Sequence, residues 1–310
     1  MRNGTVIING TNIWTTYKTF VSKGGYRGLV QWPALKGIEG NDWQETDGFE
    51  PDLSAIHLDT RQLDMNFVCL GTAQEMTDFY NFLCSAPKMT YAFSDISRTL
   101  TLRVLSMPSL RSATTLKAIS VRFAADIPLE GYTYTAPVST LPENREYIID
   151  DVLISDYGVR VLKGTVEGVS KCSDVKPLLV RSNRVTDGAT YDENGLLYSG
   201  GSWSRSNTTG NVTVRSRDIV LKCLIYESTL AAAWKNYDAF LYDLTKINSQ
   251  AEDPTLAGAR RIVIRALGTA FKCYYKSQSV TEFTTDGTDV WIKFDLTLTL
   301  FEEEGSVSFF

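Results

Sequence analysis

The segment Tyr17-Lys-Thr-Phe-Val-Ser-Lys-Gly24 returns 140 positions later as Tyr157-Gly-Val-Arg-Val-Leu-Lys-Gly164, with Tyr, Val, Lys and Gly in place. Self-similarity of this kind constrains a chain more than composition does, because both copies must adopt one architecture. At the same spacing Thr46-Asp47-Gly48 meets Thr186-Asp187-Gly188, and Asp52 meets Asp192. Asp-Gly marks a tight turn, since glycine tolerates positive φ. The spacing then widens to 156, because the second copy holds an extra Gly/Ser/Asn-rich tract, residues 194–211, expected to be a long loop or flexible hairpin. Past it, Arg61-Gln-Leu-Asp-Met-Asn-Phe-Val68 aligns with Arg217-Asp-Ile-Val-Leu-Lys-Cys-Leu224. The alternation predicts strands that turn Leu63, Met65 and Phe67, and Ile219, Leu221 and Cys223, inward.

Both copies then change to a helical pattern. Thr72 is placed to cap a helix reaching about Cys84, and Ser228 or Thr229 one reaching about Lys246. Phe79-Tyr-Asn-Phe-Leu83 falls on Tyr237-Asp-Ala-Phe-Leu241, and aromatic residues at this spacing give each helix one apolar face to lay on a sheet. Two later matches complete the series. Arg98-Thr-Leu-Thr-Leu-Arg-Val-Leu-Ser106 aligns with Arg260-Arg-Ile-Val-Ile-Arg-Ala-Leu-Gly268 at 162, and Val121-Arg-Phe123 with Ile292-Lys-Phe294 at 171. Spacings that only grow, each step absorbed in a loop, are what duplication followed by insertion produces.

The expected fold class is mainly β (α+β): two tandem repeats of an antiparallel β-sandwich or open barrel, each with one flanking helix. A chain of 310 residues, 43% hydrophobic and 22% charged, has material for two ordinary cores. Three prolines between positions 127 and 142 oppose regular structure there. The expected division is a first copy over 1–130, a Pro-rich linker over 131–146 and a second copy over 147–310.

Motifs for chemistry are scarce. His57 is the only histidine, and neither a Gly-x-Ser-x-Gly elbow nor a glycine-rich phosphate loop is present, so His57 reads as a surface or strand-edge residue. The cysteines at 69, 84, 172, 223 and 273 form no Cys-x-x-Cys pair and read as buried free thiols. Asp187, Asp192, Glu193 and Asn194 can offer oxygens to calcium, but not at EF-hand spacing. Asp150-Asp151 and the carboxylates at 302–304 read as solvated strand ends rather than a glycosidase pair. No catalytic, cofactor-binding or metal-ligating residue is therefore expected, and the chain is not expected to be an enzyme. A net charge of -5 argues against gripping nucleic acid by counterion release. There is no run of 18 apolar residues and no apolar region behind Met1, so synthesis in the cytoplasm without membrane insertion is expected.

Ile7-Ile-Asn-Gly10, the loop Gly37-Ile-Glu-Gly-Asn-Asp-Trp-Gln-Glu-Thr-Asp-Gly48 and the strand from Arg61 to Leu70 make the first copy resemble the amino-terminal domain of siphophage distal tail proteins. In element order both copies resemble the ring-forming domain of phage tail tube, distal tail and tail hub proteins. The resemblance implies a virion structural protein that forms a ring at the tail tip or baseplate, continues the DNA channel and joins tube to tip. It implies sheets joined edge to edge around the channel, helices outside, and long loops reaching neighbouring subunits or rings. The residues it implicates in those loops, 36–53 and 176–211, include Trp43, Asp47, Gly48, Asp187, Gly188 and Trp203. Its implied partners are further copies (a trimer with pseudo-sixfold symmetry or a hexamer), the tail tube, tail hub and tape measure proteins, and DNA in transit without specific binding. Distal tail proteins usually carry a galectin-like or OB-like second domain, so a repeated second half shifts weight towards a duplicated tube or hub protein. The alternative reading, a carbohydrate-binding module of a tail tip, rests on the six tryptophans and 15 tyrosines.

Overall fold

The structure is a computed structural model that describes residues 5–22, 25–41, 50–112, 117–126, 131–166, 179–182, 190–191, 196–199, 202–205, 212–265, 268–286 and 289–306. It begins with a tight hairpin. β1 (Val6–Ile8) turns into β2 (Thr11–Asn12) through Asn9 and Gly10, both at positive φ, as a two-residue hairpin with right-handed strand twist requires. Asn12 caps the short α1 (Ile13–Tyr17), its Oδ1 accepting from the Trp14 and Thr15 amides. Then come β3 (Thr19–Val21), α2 (Arg27–Val30), β4 (Arg61–Cys69), α3 (Ala73–Leu83), β5 (Met89–Phe93), β6 (Arg98–Ser112) and β7 (Lys117–Ala125). These strands form one antiparallel sheet in the order β2-β1-β5-β6-β7-β4-β3.

The second half repeats the plan with β8 (Tyr147–Ile149), β9 (Val152–Leu153), β10 (Val159–Val166), β11 (Arg217–Glu227), α4 (Leu230–Thr245), β12 (Arg260–Ile264), β13 (Thr269–Asp286) and β14 (Asp289–Ser306). Its sheet runs β9-β8-β12-β13-β14-β11-β10. Adding seven to each label of the first sheet gives the second, so the two topologies are identical. The backbone repeats with them. Asn9 and Gly10 correspond to Asp150 and Asp151, Lys18 to Gly158 and Ser97 to Gly268, all at positive φ; among the described residues only Gly131 has this conformation without a counterpart.

The ladders correct two of the sequence alignments. Arg98 opens β6, whereas Arg260 opens β12, which stands in the place of β5; the counterpart of Arg98 is Thr269. The pairings Met65↔Val121 and Leu221↔Leu296 likewise match Val121 to Leu296 and not to Ile292. Ile292 and Leu296 are four residues apart on one amphipathic strand, so the alternation survives that slip; Arg260 and Thr269 are nine apart and open different strands that share one apolar pattern, so hydrophobic pattern alone fixes neither register nor strand identity.

Elements read from local signals lie where expected. Leu63, Met65, Phe67, Ile219, Leu221 and Cys223 are buried. Thr72 makes a capping box with Glu75, and Thr229 caps α4 through the Ala232 amide. The helices differ in surroundings. α3 buries a single stripe, Met76, Phe79 and Leu83, whereas α4 buries Ala233, Trp234, Asn236, Tyr237, Asp238, Phe240, Leu241 and Leu244, most of its circumference. Residues 131–146 have no regular structure and run against α4, with Asn236 bonding both the amide and the carbonyl of Val138. Three of the cysteines, Cys69, Cys223 and Cys273, are buried as expected, but Cys84 is exposed because it is the C-cap of α3. Asp150 and Asp151 occupy the β8–β9 turn rather than a strand end.

Candidate functional site at the seam between the sheets

The apolar residues of both sheets form one continuous cluster, and the reason is the segment that follows β3. Leu29, Val30, Trp32 and Leu35 join the cluster from a segment that lies between the two sheets: the Leu29 carbonyl accepts from Arg61 of β4, and Trp32 and Leu35 lie against the second sheet. Trp32, 2% exposed, lies against Tyr237, Phe240, Tyr275 and Phe294 at ring-centroid distances of 4.5–6.3 Å. The same segment covers one margin of β13. The Leu35 amide donates to the Lys276 carbonyl (2.9 Å), Gln31 Nε2 to the Gln278 carbonyl (2.6 Å) and Arg27 Nε to the Val280 carbonyl (2.6 Å), while the Val280 amide donates to Gln31 Oε1 (3.2 Å). A side-chain amide thus pairs with strand backbone as another strand would. Gln278 returns the arrangement, its Oε1 accepting from the Trp32 amide and its Nε2 donating to the Tyr237 hydroxyl.

A second contact is polar. Trp234 Nε1 donates to the Ile96 carbonyl (2.6 Å), and Arg98 forms a two-bonded pair with Asp238 (2.7 and 2.6 Å) while lying 4.2 Å above the Trp234 ring. Tyr237 and Tyr275 donate to the Val30 and Pro33 carbonyls. Burial pushes the Tyr237 hydroxyl well above its ordinary pKa and, with Arg98 nearby, pulls the Arg61 guanidinium down. Both act as structural donors, Arg61 to the Leu29 carbonyl and Tyr237 to that of Val30. At a third contact Leu53 pairs with Thr255 and Gly258, and a side chain at 258 would strike Ile56.

The histidine stands apart. His57 is exposed at a hollow of about 280 Å³ shared with Glu39, Asp52 and Ser54. Bonds from Ser54 hold the Asp52 carboxylate below its usual range, and no side-chain hydrogen bond joins Ser54 to His57 among the described residues. Among the described residues no three His, Cys, Asp or Glu side chains group as metal ligands, and no helix is long and apolar enough to cross a membrane.

Of the six loop residues singled out by sequence, Trp43, Asp47, Gly48, Asp187 and Gly188 lie outside the described residues. Trp203 lies in the short strand Ser202–Arg205, which pairs with Leu196–Ser199, its ladder partner being Tyr198. The first copy's loop also carries a ladder, Gly40–Asn41 with Glu50–Pro51. The seam residues Gln31, Trp32 and Gln278 were not anticipated from sequence. Their one signal is a glutamine and a tryptophan inside an otherwise apolar stretch without strand alternation.

No protein-family model matches the chain, and no curated protein matches it. Among solved structures it is similar to the SPP1 Dit (gp 19.1) protein, described as a paradigm of the hub adsorption apparatus in phages infecting Gram-positive hosts. That likeness has 12% identity, covers 96% of this chain and 98% of that one, and has a TM-score of 0.31.

Proposed function

We infer that the chain is a structural subunit of a bacteriophage tail, which assembles into a ring at the tail tip as a distal-tail or hub-like element between the tube and the tip. The observation that carries this reading is the asymmetry of the seam. Two units of identical topology meet through unlike faces: the first contributes the 27–35 segment and the Ile96–Arg98 turn, the second α4 and β13. A head-to-tail contact between like units leaves the complementary faces unused at the two ends of the pair. Repetition of such a contact gives a closed ring or a filament.

Two units per chain suit three chains with pseudo-sixfold symmetry, the alternative being six chains with one unit lining the channel. The units correspond to residues 1–130 and 147–310, joined by 131–146. The loops 36–53 and 176–211, with Trp43, Asp47, Gly48, Asp187, Gly188 and Trp203, contact neighbouring subunits or rings, the tube, hub and tape measure proteins among them. DNA passes through the lumen without specific contacts, and the subunit performs no catalysis. Negative-stain imaging of the purified protein tests this directly: rings with a central hole are expected, and separate particles of single-chain mass at micromolar concentration would overturn it.

A further inference from the structure

We propose that the margin of β6 at residues 105–110 is the docking edge for a second copy of this chain, whose second unit covers it as the first unit covers β13 within one chain. This deepens the ring reading and rests on it.

Equivalent positions in the two sheets differ in what covers them. In each sheet a five-residue strand, β5 or β12, pairs with the start of a much longer one and then stops. Beyond that point β6 and β13 are each laddered on one side only, to β7 and β14. Both long strands are bulged at the same place, between Val104 and Ser106 and between Tyr275 and Ser277, so both bend alike. In the second unit the exposed margin is covered within the chain at Lys276, Gln278 and Val280. The ladder places Leu105, Met107 and Leu110 at those three positions, Leu110 through its pairing with Ile119 where Val280 pairs with Phe294.

Among the described residues nothing covers them. No backbone hydrogen bond other than those to β7 reaches residues 105–110, and Leu105 is 36% exposed. A margin of unpaired amides and carbonyls beside an exposed leucine is an arrangement that folded proteins cover or blunt. Pro108 blunts it against an ordinary strand. It does not bar a contact of the kind Gln31 makes, which needs the carbonyls of 105 and 107 and not the amide of 108.

A second surface agrees. Within the chain, Arg98 of the first unit meets Asp238 on α4 of the second. The helix alignment places Tyr80 of α3 at the position of Asp238, and the ladder places Thr269 at that of Arg98. Tyr80 is 42% exposed, so the first unit presents two large apolar groups, Tyr80 and Leu105, where the seam would place a neighbour.

The test is the association state of full-length protein by sedimentation. Leu105→Arg is expected to weaken association by at least about tenfold, and its melting temperature is compared with wild type at a concentration where both are dissociated, where similar values show that the variant still folds. Tyr226→Arg, at an exposed residue of β11 away from this margin, is expected to leave it unchanged. Independently, Tyr80→Cys with Thr269→Cys, in a Cys84→Ser background, is expected to give covalent dimers and trimers with a short bismaleimide. Wild-type rings together with a Leu105→Arg variant of full affinity and no intermolecular cross-link would overturn the docking edge and leave the ring standing. A wild type that stays monomeric would overturn both.

Discussion

Trp32 belongs by sequence to the first unit and by packing to the second, and single substitutions there report on both. Truncating a fully buried tryptophan costs about 3–5 kcal/mol through lost transfer energy and the cavity left behind. Trp32→Ala is therefore expected to cost that much in urea titrations. Its indole N–H has no partner among the described residues, so Trp32→Phe, which removes that buried donor, is expected to cost less than half as much. Lys18 and Gly158 offer a matched pair at one position of the repeat, both in the left-handed region at φ 51° and 68°. Lys18→Gly is expected to be neutral or stabilising by up to about 1 kcal/mol. Gly158→Ala is expected to destabilise by more than that, because a Cβ there would meet Glu227 Oε1 at 2.7 Å and Asn236 Nδ2 at 2.9 Å as well as straining the backbone. Thermal melts of the two variants measure the difference.

Among the elements, α3 stands on its own signals and α4 on its surroundings. The Thr72 amide donates to the Glu75 carboxylate while the Thr72 hydroxyl accepts from the Glu75 amide, and the bonding with Thr72 holds the carboxylate below its ordinary value of 4.5. A depressed carboxylate contributes stability above its unfolded pKa and loses it as pH falls through the folded value. Glu75→Gln, whose neutral amide resembles the protonated acid, is therefore expected to lower the neutral-pH melting temperature slightly, to match wild type well below pH 4.5, and so to flatten the acid dependence between the two. The inserted tract between β10 and β11 carries its own ladder, Leu196–Ser199 with Ser202–Arg205. Deleting residues 194–211 is expected to impair assembly on sizing columns while the circular dichroism melt of the monomer is retained; normal assembly would remove the loop from the interface. These elements were legible in the sequence because caps, turns and alternation act over a few residues. Thr72, Thr229 and the strand from Arg61 could be read so. Register was not: Ile292 and Leu296 offer the same alternation four residues out of step, and Arg98 and Arg260 open different strands of one pattern. The seam was not either: Gln31 and Gln278 are far apart in the chain, and only the packed molecule brings them together.

At the scale of the whole molecule, the seam decides whether the two halves are separable. Units of 130 to 160 residues ordinarily fold alone when each has its own core. Here the second core is completed by Trp32 and the margin of β13 by Gln31, Arg27 and Leu35, all from the other side of the 131–146 connector. A fragment of residues 147–310 would leave Tyr237, Phe240, Tyr275 and Phe294 facing a void where the indole belongs. It would also bare several hydrogen-bonding groups of β13. The fragment is therefore expected to be loosely packed, to bind ANS and to melt without a sharp heat-capacity peak, whereas the full chain melts in one cooperative transition. A synthetic peptide of residues 24–38 added in excess is expected to restore a sharp melt, by mass action on the competent state, and the same peptide with Trp32→Ala is not. If the fragment alone melts as sharply as the intact chain, the seam is a contact between finished domains. If the peptide rescues it, the segment that completes one unit from another is an integral part of the fold, and a neighbouring copy can complete an open margin by the same chemistry.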